Sequence, residues 1–400
     1  MKKLQRKVLI FGLLVGAMSL VACGNSGGDN SGSGSGGGGG KGPWTVKFDV
    51  NGGNETYPDQ IVENKGLVQD PGTPTKNDEK GNYAFLGWYA DGASWSFKNS
   101  KVTKDMTLTA NWLDKYDVQF KNADGTDYAP ISYIDRGSAL TKPADPAAPS
   151  GQAFYGWKNV KNGGQIWDFA NEDLNKVMDN VELQPCFVPA GMTAQVFEAE
   201  ECPDFTDDSW GPKGMPGATY SGGQNGLGLV GKDYYEDGKN KYGTSGHYTV
   251  GTSEVAGFAH FLYCEGDTLT WKLQSDAAAE NVVIFMRLSA EYGIADPDNG
   301  EVTSWVDDTI FPVTVNGTPL KYGKVVLHNI VPMLFIPFQD YFLSASVSLK
   351  AGENIIQMKV DNKVSVNGTI ASSAPVVDCI KLYSSSTLTW PDADPTNLDD

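Results

Sequence analysis

The chain copies itself within its first half, and that copying limits what the first half can fold into. One segment carries Trp44, Val46 and Phe48, then Phe85-Leu86-Gly87-Trp88, Trp95-Ser96-Phe97 and a closing Leu108-Thr109-Ala110-Asn111-Trp112. A second carries Tyr116, Val118 and Phe120, then Phe154-Tyr155-Gly156-Trp157, Trp167-Asp168-Phe169 and Val181-Glu182-Leu183-Gln184-Pro185-Cys186-Phe187. Phe48 and Phe120 stand 72 residues apart, Trp88 and Trp157 69, Phe97 and Phe169 72. Self-similarity at a fixed period marks repeated structural units. Inside each unit, Val46-x-Phe48-x-Val50 and Val118-x-Phe120 alternate with period two, as half-buried strands do. Asn51-Gly52-Gly53 and Asp124-Gly125 supply turns. A unit this small needs its large aromatics inside to fold, so Trp88 and Trp157 are expected in cores and not as sugar platforms.

The pattern of a VxF strand, a Gly-Gly turn, an FxGW core and an LxAxW ending resembles the Listeria-Bacteroides repeat, the internalin B-type repeat. The resemblance implies small β-grasp-like units at residues 44–113 and 115–188, working as stalk or adhesive modules on bacterial surfaces. Segment two departs at its end, where Pro185-Cys186-Phe187 replaces Ala-x-Trp, so its last strand is expected to be irregular.

From residue 194 to about residue 384 the style changes. Short alternating runs recur at Thr268-Leu269-Thr270-Trp271, Val282-Val283-Ile284-Phe285, Asn354-Ile355-Ile356 and Val376-Val377-Asp378-Cys379-Ile380, separated by turn residues and without a helical period. Many short strands with Gly and Asn punctuation argue for a β-sandwich of jelly-roll type. The expected fold class is therefore mainly β: two β-grasp-like repeats, then a sandwich. In Phe197-Glu198-Ala199-Glu200 both carboxylates leave one face of a strand, where they repel unless a cation sits between them. That opening FEAE, the Val315-Asn316-Gly317 strand end, the string Leu349-Lys350-Ala351-Gly352-Glu353-Asn354 and the closing Val377-Asp378-Cys379-Ile380 resemble carbohydrate-binding modules of families 6 and 35. This resemblance implies a structural calcium held by Glu198, Glu200 and Asp378, with backbone carbonyls near residues 221–223. It also implies a sugar cleft among loops at one end of the sandwich. Aromatic faces stack on pyranose rings while polar groups read hydroxyls, so Trp305 with Asn362 are the first candidates, followed by Trp210, Tyr234, Tyr235 and Tyr242. Additional sequence at residues 291–309 and 325–342 exceeds a typical member.

The N-terminus combines Lys2, Lys3, Arg6 and Lys7 with an apolar run at residues 8–22, too short to span a bilayer comfortably, and so reads as an export signal. Leu20-Val21-Ala22-Cys23-Gly24 resembles a lipobox, which implies cleavage after residue 22 and acyl chains on Cys23. Residues 23–43 continue as a Gly/Ser-rich tether that behaves as a flexible coil, and residues 385–400 form an acidic tail. The expected location is the outer face of a cell membrane, reached through the lipid alone. Formal charge is −18, which argues against nucleic acid, since phosphate binding needs clustered Lys and Arg. Cys186, Cys202, Cys264 and Cys379 lack zinc spacing and leave disulfides or buried thiols open. Three histidines without HExxH give metal-hydrolase chemistry few ligands. The Gly226-x-Gly228-x-x-Gly231 match is not followed by a helix pattern, and there is no GxSxG.

The expected function is non-catalytic binding of polysaccharide or host glycan by a calcium-stiffened sandwich on a surface lipoprotein. Two rivals stand beside it: an adhesin whose repeats grip a host or bacterial protein, and a glycan-active enzyme built on the inserted stretches.

Overall fold

In the first unit, strand Trp44–Asp49 lies parallel to Met106–Trp112, with Val46 opposite Met106 and Phe48 opposite Leu108. Alternate residues of the second strand, Leu108, Ala110 and Trp112, are buried, and Phe85–Ala90 pairs antiparallel on its other side. On this last strand stands Trp88, 3% exposed, edge-on to Phe48, Tyr57 and Phe85. The computed structural model describes residues 42–393, apart from 173, 200, 203, 207–227, 231–248, 251–252, 255–257, 261, 263–265, 291–293, 296–301, 329–337, 362–364, 367–368 and 371. Among the described residues every regular element is a strand, and no helix is long and apolar enough to cross a membrane.

The second unit repeats the arrangement. Lys115–Phe120 runs parallel to Val181–Pro189, with Val118 opposite Val181, and Gln152–Asn159 pairs antiparallel along the latter. Trp157, 0% exposed, is the core ring here, edge-on to Phe120, Tyr128 and Phe154. Asn175 clamps this core: its Oδ1 accepts from the Trp167 indole at 2.9 Å and from the Leu140 amide at 3.0 Å. Both FxGW tryptophans are thus core residues. The last strand, Val181–Pro189, is nine residues long and paired to its end at Pro189–Gln152, and the expected irregularity falls at Cys186–Phe187, where the register against Phe154–Gly156 shifts by one and the burial alternation breaks. Its unusual Pro185-Cys186-Phe187 serves contacts outside the repeat, described below.

The sandwich has two layers. One holds Pro375–Tyr383, Ala279–Ala290 and Gln339–Leu349 side by side, with the opening strand Gln195–Glu198 pairing the closing strand Pro375–Tyr383. The other holds Thr268–Ser275, Gly352–Lys359 and Val313–Val315. Trp271, Ile284, Met286, Phe311, Ile356, Met358, Ile380 and Leu382 fill the space between. From Val282 onward Ala279–Ala290 is buried on both faces, which accounts for the consecutive apolar residues from Val282 to Met286. Ile284 and Met286 point into the sandwich core, while Val283 and Phe285 join Cys186 and Val188 of the second repeat.

That second contact is an extension of the sheet itself. Gln165 of the short strand Gln165–Ile166 pairs with Tyr341, and Phe342 N donates to Gly164 O at 3.0 Å, so one sheet runs from the sandwich into the second repeat. Tyr155 and Phe285 stack at 4.6 Å between centroids, and Lys158 Nζ sits 4.1 Å over the Phe342 ring. Aromatic pairs of this kind contribute about 0.5–1.5 kcal/mol beyond their area burial.

Candidate functional site

The antiparallel register of the opening and closing strands sets Glu198 opposite Cys379, and Ala199 N donates to Asp378 O at 2.8 Å. One ligand atom from each of Glu198, Asp378 and Cys379 lies within 4.8 Å of the others. Burial first, and then the charge of Asp378, push the Glu198 carboxyl up to about 7. Burial likewise lifts Asp378 to about 6, against the pull of the Arg287 and Lys381 charges. Two neighbouring carboxyls whose burial resists ionisation, one of them raised further by the other's charge, are a group a divalent cation would relieve. Burial holds the Cys379 thiol protonated, well above its ordinary value, and a thiol is a soft ligand, so the oxygen donors suit calcium and the sulfur takes no part. Asp378 Oδ2 is engaged by Arg287 Nε at 3.0 Å, which leaves its other oxygen for a cation.

Arg287 was not a sequence candidate, yet it organises the site. It rises from the buried strand Ala279–Ala290 and also approaches Asp340, with Nη1 at 3.5 Å. Lys381 Nζ contacts both Asp340 oxygens at 2.9 Å, and the Tyr155 hydroxyl of the second repeat donates to Asp340 at 2.9 Å. A chain of ion pairs therefore links the Glu198–Asp378 pair to the second repeat. The available signal was a single arginine inside the run Val282-Val283-Ile284-Phe285-Met286-Arg287-Leu288, since a buried charge demands a buried partner.

Trp305 was expected in a loop and stands on a strand instead. The additional stretches form a three-stranded sheet of Ile294–Ala295, Val302–Asp307 and Lys324–His328. Alternation buries Ser304 and Val306 and turns Thr303, Trp305 and Asp307 to the other face, where Trp305 is half-buried. Lys324 Nζ lies 5.0 Å from the Trp305 ring centroid, and Ser373 N donates to the Trp305 carbonyl at 2.7 Å. Cys23, Glu200, Trp210, Tyr234, Tyr235, Tyr242, Asn362 and the carbonyls of residues 221–223 lie outside the described residues. Of the proposed calcium ligands, Glu198 and Asp378 are thus brought together.

The repeats' parallel first and last strands, each built around one FxGW tryptophan, agree with what the whole sequence of each unit matches. Residues 44–111 and 116–183 match the Listeria-Bacteroides repeat domain. The chain is 32% identical to a putative membrane protein of Evansella cellulosilytica, across 34% of this chain and 20% of that protein. It is also 32% identical to Internalin H of Listeria monocytogenes, across 32% of this chain and 22% of that protein. The chain thus spans about a fifth of the length of these curated relatives. Among solved structures, a family 35 carbohydrate-binding module from Clostridium thermocellum aligns at TM-score 0.25 and 17% identity, covering 48% of this chain and 99% of the module. A family 35 module from Cellvibrio japonicus aligns at TM-score 0.22 and 16% identity, covering 34% and 78%.

The two Listeria-Bacteroides repeats differ where the second meets the sandwich. Between its paired tryptophans the first spans Trp88 to Trp95, seven residues, and the second Trp157 to Trp167, ten. The longer turn ends in Asn162-Gly163-Gly164, with Gly163 and Gly164 at φ +58° and +76°. A Cβ on Gly164 would lie 2.6 Å from Phe342 O, and one on Gly163 2.4 Å from Val325 Cγ2. Only glycines admit this approach. The sequence signal was the step in offset from 69 to 72 residues between the Trp88/Trp157 and Phe97/Phe169 pairs.

Proposed function

We propose that this chain is a non-catalytic surface protein that binds carbohydrate through its C-terminal sandwich. The observation carrying the reading is the pairing of the opening strand with the closing one. It brings the Glu198 and Asp378 carboxylates within 4.8 Å, the meeting that the FEAE and VDCIKL motifs led us to expect. Calcium is the cation proposed for this pair. It would be held by Glu198 and Asp378, with Glu200 and carbonyls near residues 221–223 completing the shell, and would fix the first and last strands to each other. Glycan would stack on exposed rings, Trp305 foremost, with Asn362, Trp210, Tyr234, Tyr235 and Tyr242 as further contacts. Acylation of Cys23 is proposed to hold the molecule at the outer face of a membrane, beyond the Gly/Ser tether.

A glycan array probed with the purified full chain in calcium, and again in chelator, tests the reading. Calcium-dependent retention of a polysaccharide supports it; failure to retain any glycan with calcium present overturns it. Looking for new reducing ends on any bound polysaccharide tests the absence of catalysis. The two Listeria-Bacteroides repeats, with the 32% identity of part of this chain to Internalin H, favour one second reading, an adhesin whose repeats hold a protein partner and whose sandwich is structural. A protein partner captured by the repeats together with an empty array would select that reading.

A further inference from the structure

Where the second repeat meets the sandwich the contact is incomplete. A cavity of about 160 Å³ opens between them, walled by Asn159, Asn162, Gln165 and Trp167 from the repeat and by His328 and Gln339 from the sandwich. The amides divide into two kinds. Asn162 is committed to the junction: its Nδ2 donates to Val326 O at 2.8 Å and its Oδ1 accepts from Val326 N at 2.6 Å. Gln165 is committed as well, accepting from Asn162 and donating to Gln339 Oε1.

Asn159 and Gln339 are only half used. Asn159 Oδ1 accepts from Lys161 N at 3.2 Å and Gln339 Oε1 accepts from Gln165, but neither Asn159 Nδ2 nor Gln339 Nε2 has an acceptor among the described residues. The two side chains are 5% and 7% exposed and come from opposite walls. Both side chains line the cavity, so a ligand or ordered water entering it is what would accept from these two NH₂ groups. At the mouth His328 Nε2 and Asp179 Oδ2 pair at 2.8 Å, so each of these two polar groups already has a partner. An apolar guest would leave both NH₂ groups unsatisfied, whereas hydroxyl groups accept from them and donate in turn. Trp167, 6% exposed and tied through its indole N–H to Asn175, also lines the cavity and offers apolar contact there. The longer turn of the second repeat supplies Asn162, and the first repeat is three residues shorter there.

We propose that this cavity is a second carbohydrate site, taking one neutral sugar residue held by both lobes at once through Asn159 and Gln339. It goes beyond the glycan reading of the sandwich and shares no residue with it.

The test titrates the full chain with D-glucose, D-galactose, D-mannose and D-xylose separately, following melting temperature and saturation-transfer NMR. Asn159→Asp and Gln339→Glu each keep the oxygen that accepts from the protein and replace the unpartnered donor with a charged acceptor oxygen. The expected result is saturable binding of at least one sugar, weakened about tenfold in each variant by loss of one hydrogen bond, and retained in Trp305→Ala. Absence of saturable binding by all four sugars overturns the proposal. So does binding lost in Trp305→Ala and kept in Asn159→Asp and Gln339→Glu, which would move the sugar to the sandwich's own site. Should either charge-bearing variant fail to fold, NOEs between sugar ring protons and the Trp167 indole in the unmodified chain decide, their presence supporting the site and their absence overturning it.

Discussion

The Tyr155 hydroxyl donates to Asp340 at 2.9 Å, joining residues 185 positions apart and two lobes of different fold. Asp340 is also held by Lys381 and Arg287, so the phenol is one of three donors to a half-buried carboxylate. Burial and the Asp340 charge push the phenol far above its ordinary value, which keeps it a donor at any ordinary pH. Tyr155→Phe should cost about 1–3 kcal/mol, the range for a hydrogen bond to a charged acceptor in a buried setting. Tyr155→Ala also empties the space beside Phe285 and should cost about 3–5 kcal/mol. Urea unfolding of the three proteins measures both; an unshifted midpoint for Tyr155→Phe would remove this bond from the junction.

The close approach at Gly164 gives a controlled comparison. Gly92 of the first repeat also has positive φ, +80°, but nothing lies within 4 Å of its would-be Cβ. Gly92→Ala should therefore carry only the backbone penalty, roughly 1 kcal/mol. Gly164→Ala adds a collision with Phe342 O and should cost about 1–3 kcal/mol more. Equal losses in thermal unfolding would mean that the junction does not form in solution.

Calcium at a hundred times its Kd should add about 2.7 kcal/mol to the stability of the sandwich if it binds the folded form alone. Chelation removes that increment, and Glu198→Gln should abolish the response to calcium while leaving the strand pairing intact. Calorimetry with and without chelator measures it. A melting temperature indifferent to calcium in the unmodified chain rules the ion out.

Trp305→Ala should weaken glycan binding by about 1–3 kcal/mol, the range supplied by stacking on an aromatic face. Lys324, 5.0 Å from the ring, is the neighbour to watch, because it covers part of the face a sugar would use. Lys324→Ala should leave glycan affinity unchanged or raised. Isothermal titration with whichever polysaccharide the array selects reads both, and unchanged affinity in Trp305→Ala takes that ring out of the site.

The repeats and the sandwich strands were legible because their information is local: period-two alternation around Val46 and Val118, and aromatic spacing around Trp88 and Trp157. The meeting of Glu198 with Asp378 was legible through motif resemblance, since nothing in strand periodicity says which distant strands pair. The junction left only faint traces in the sequence. Pro185-Cys186-Phe187 looked like decay of the LxAxW ending, yet Cys186 is buried against Val283 and Phe285. Backbone pairing such as Gln165 with Tyr341 uses amides common to every residue and leaves no mark in side-chain type. Trp305 was misplaced for a related reason: its strand, Val302–Asp307, buries Ser304 beside Val306, so its inward face is not the apolar alternation that marks a strand.

The Phe342 to Gly164 hydrogen bond, within a sheet that passes from one lobe to the other, leaves no swivel at the short connection between residues 189 and 195. A twist applied to the sandwich, as by a long polymer dragged past it, would reach the second repeat as torque. Those two lobes would turn together as a single lever.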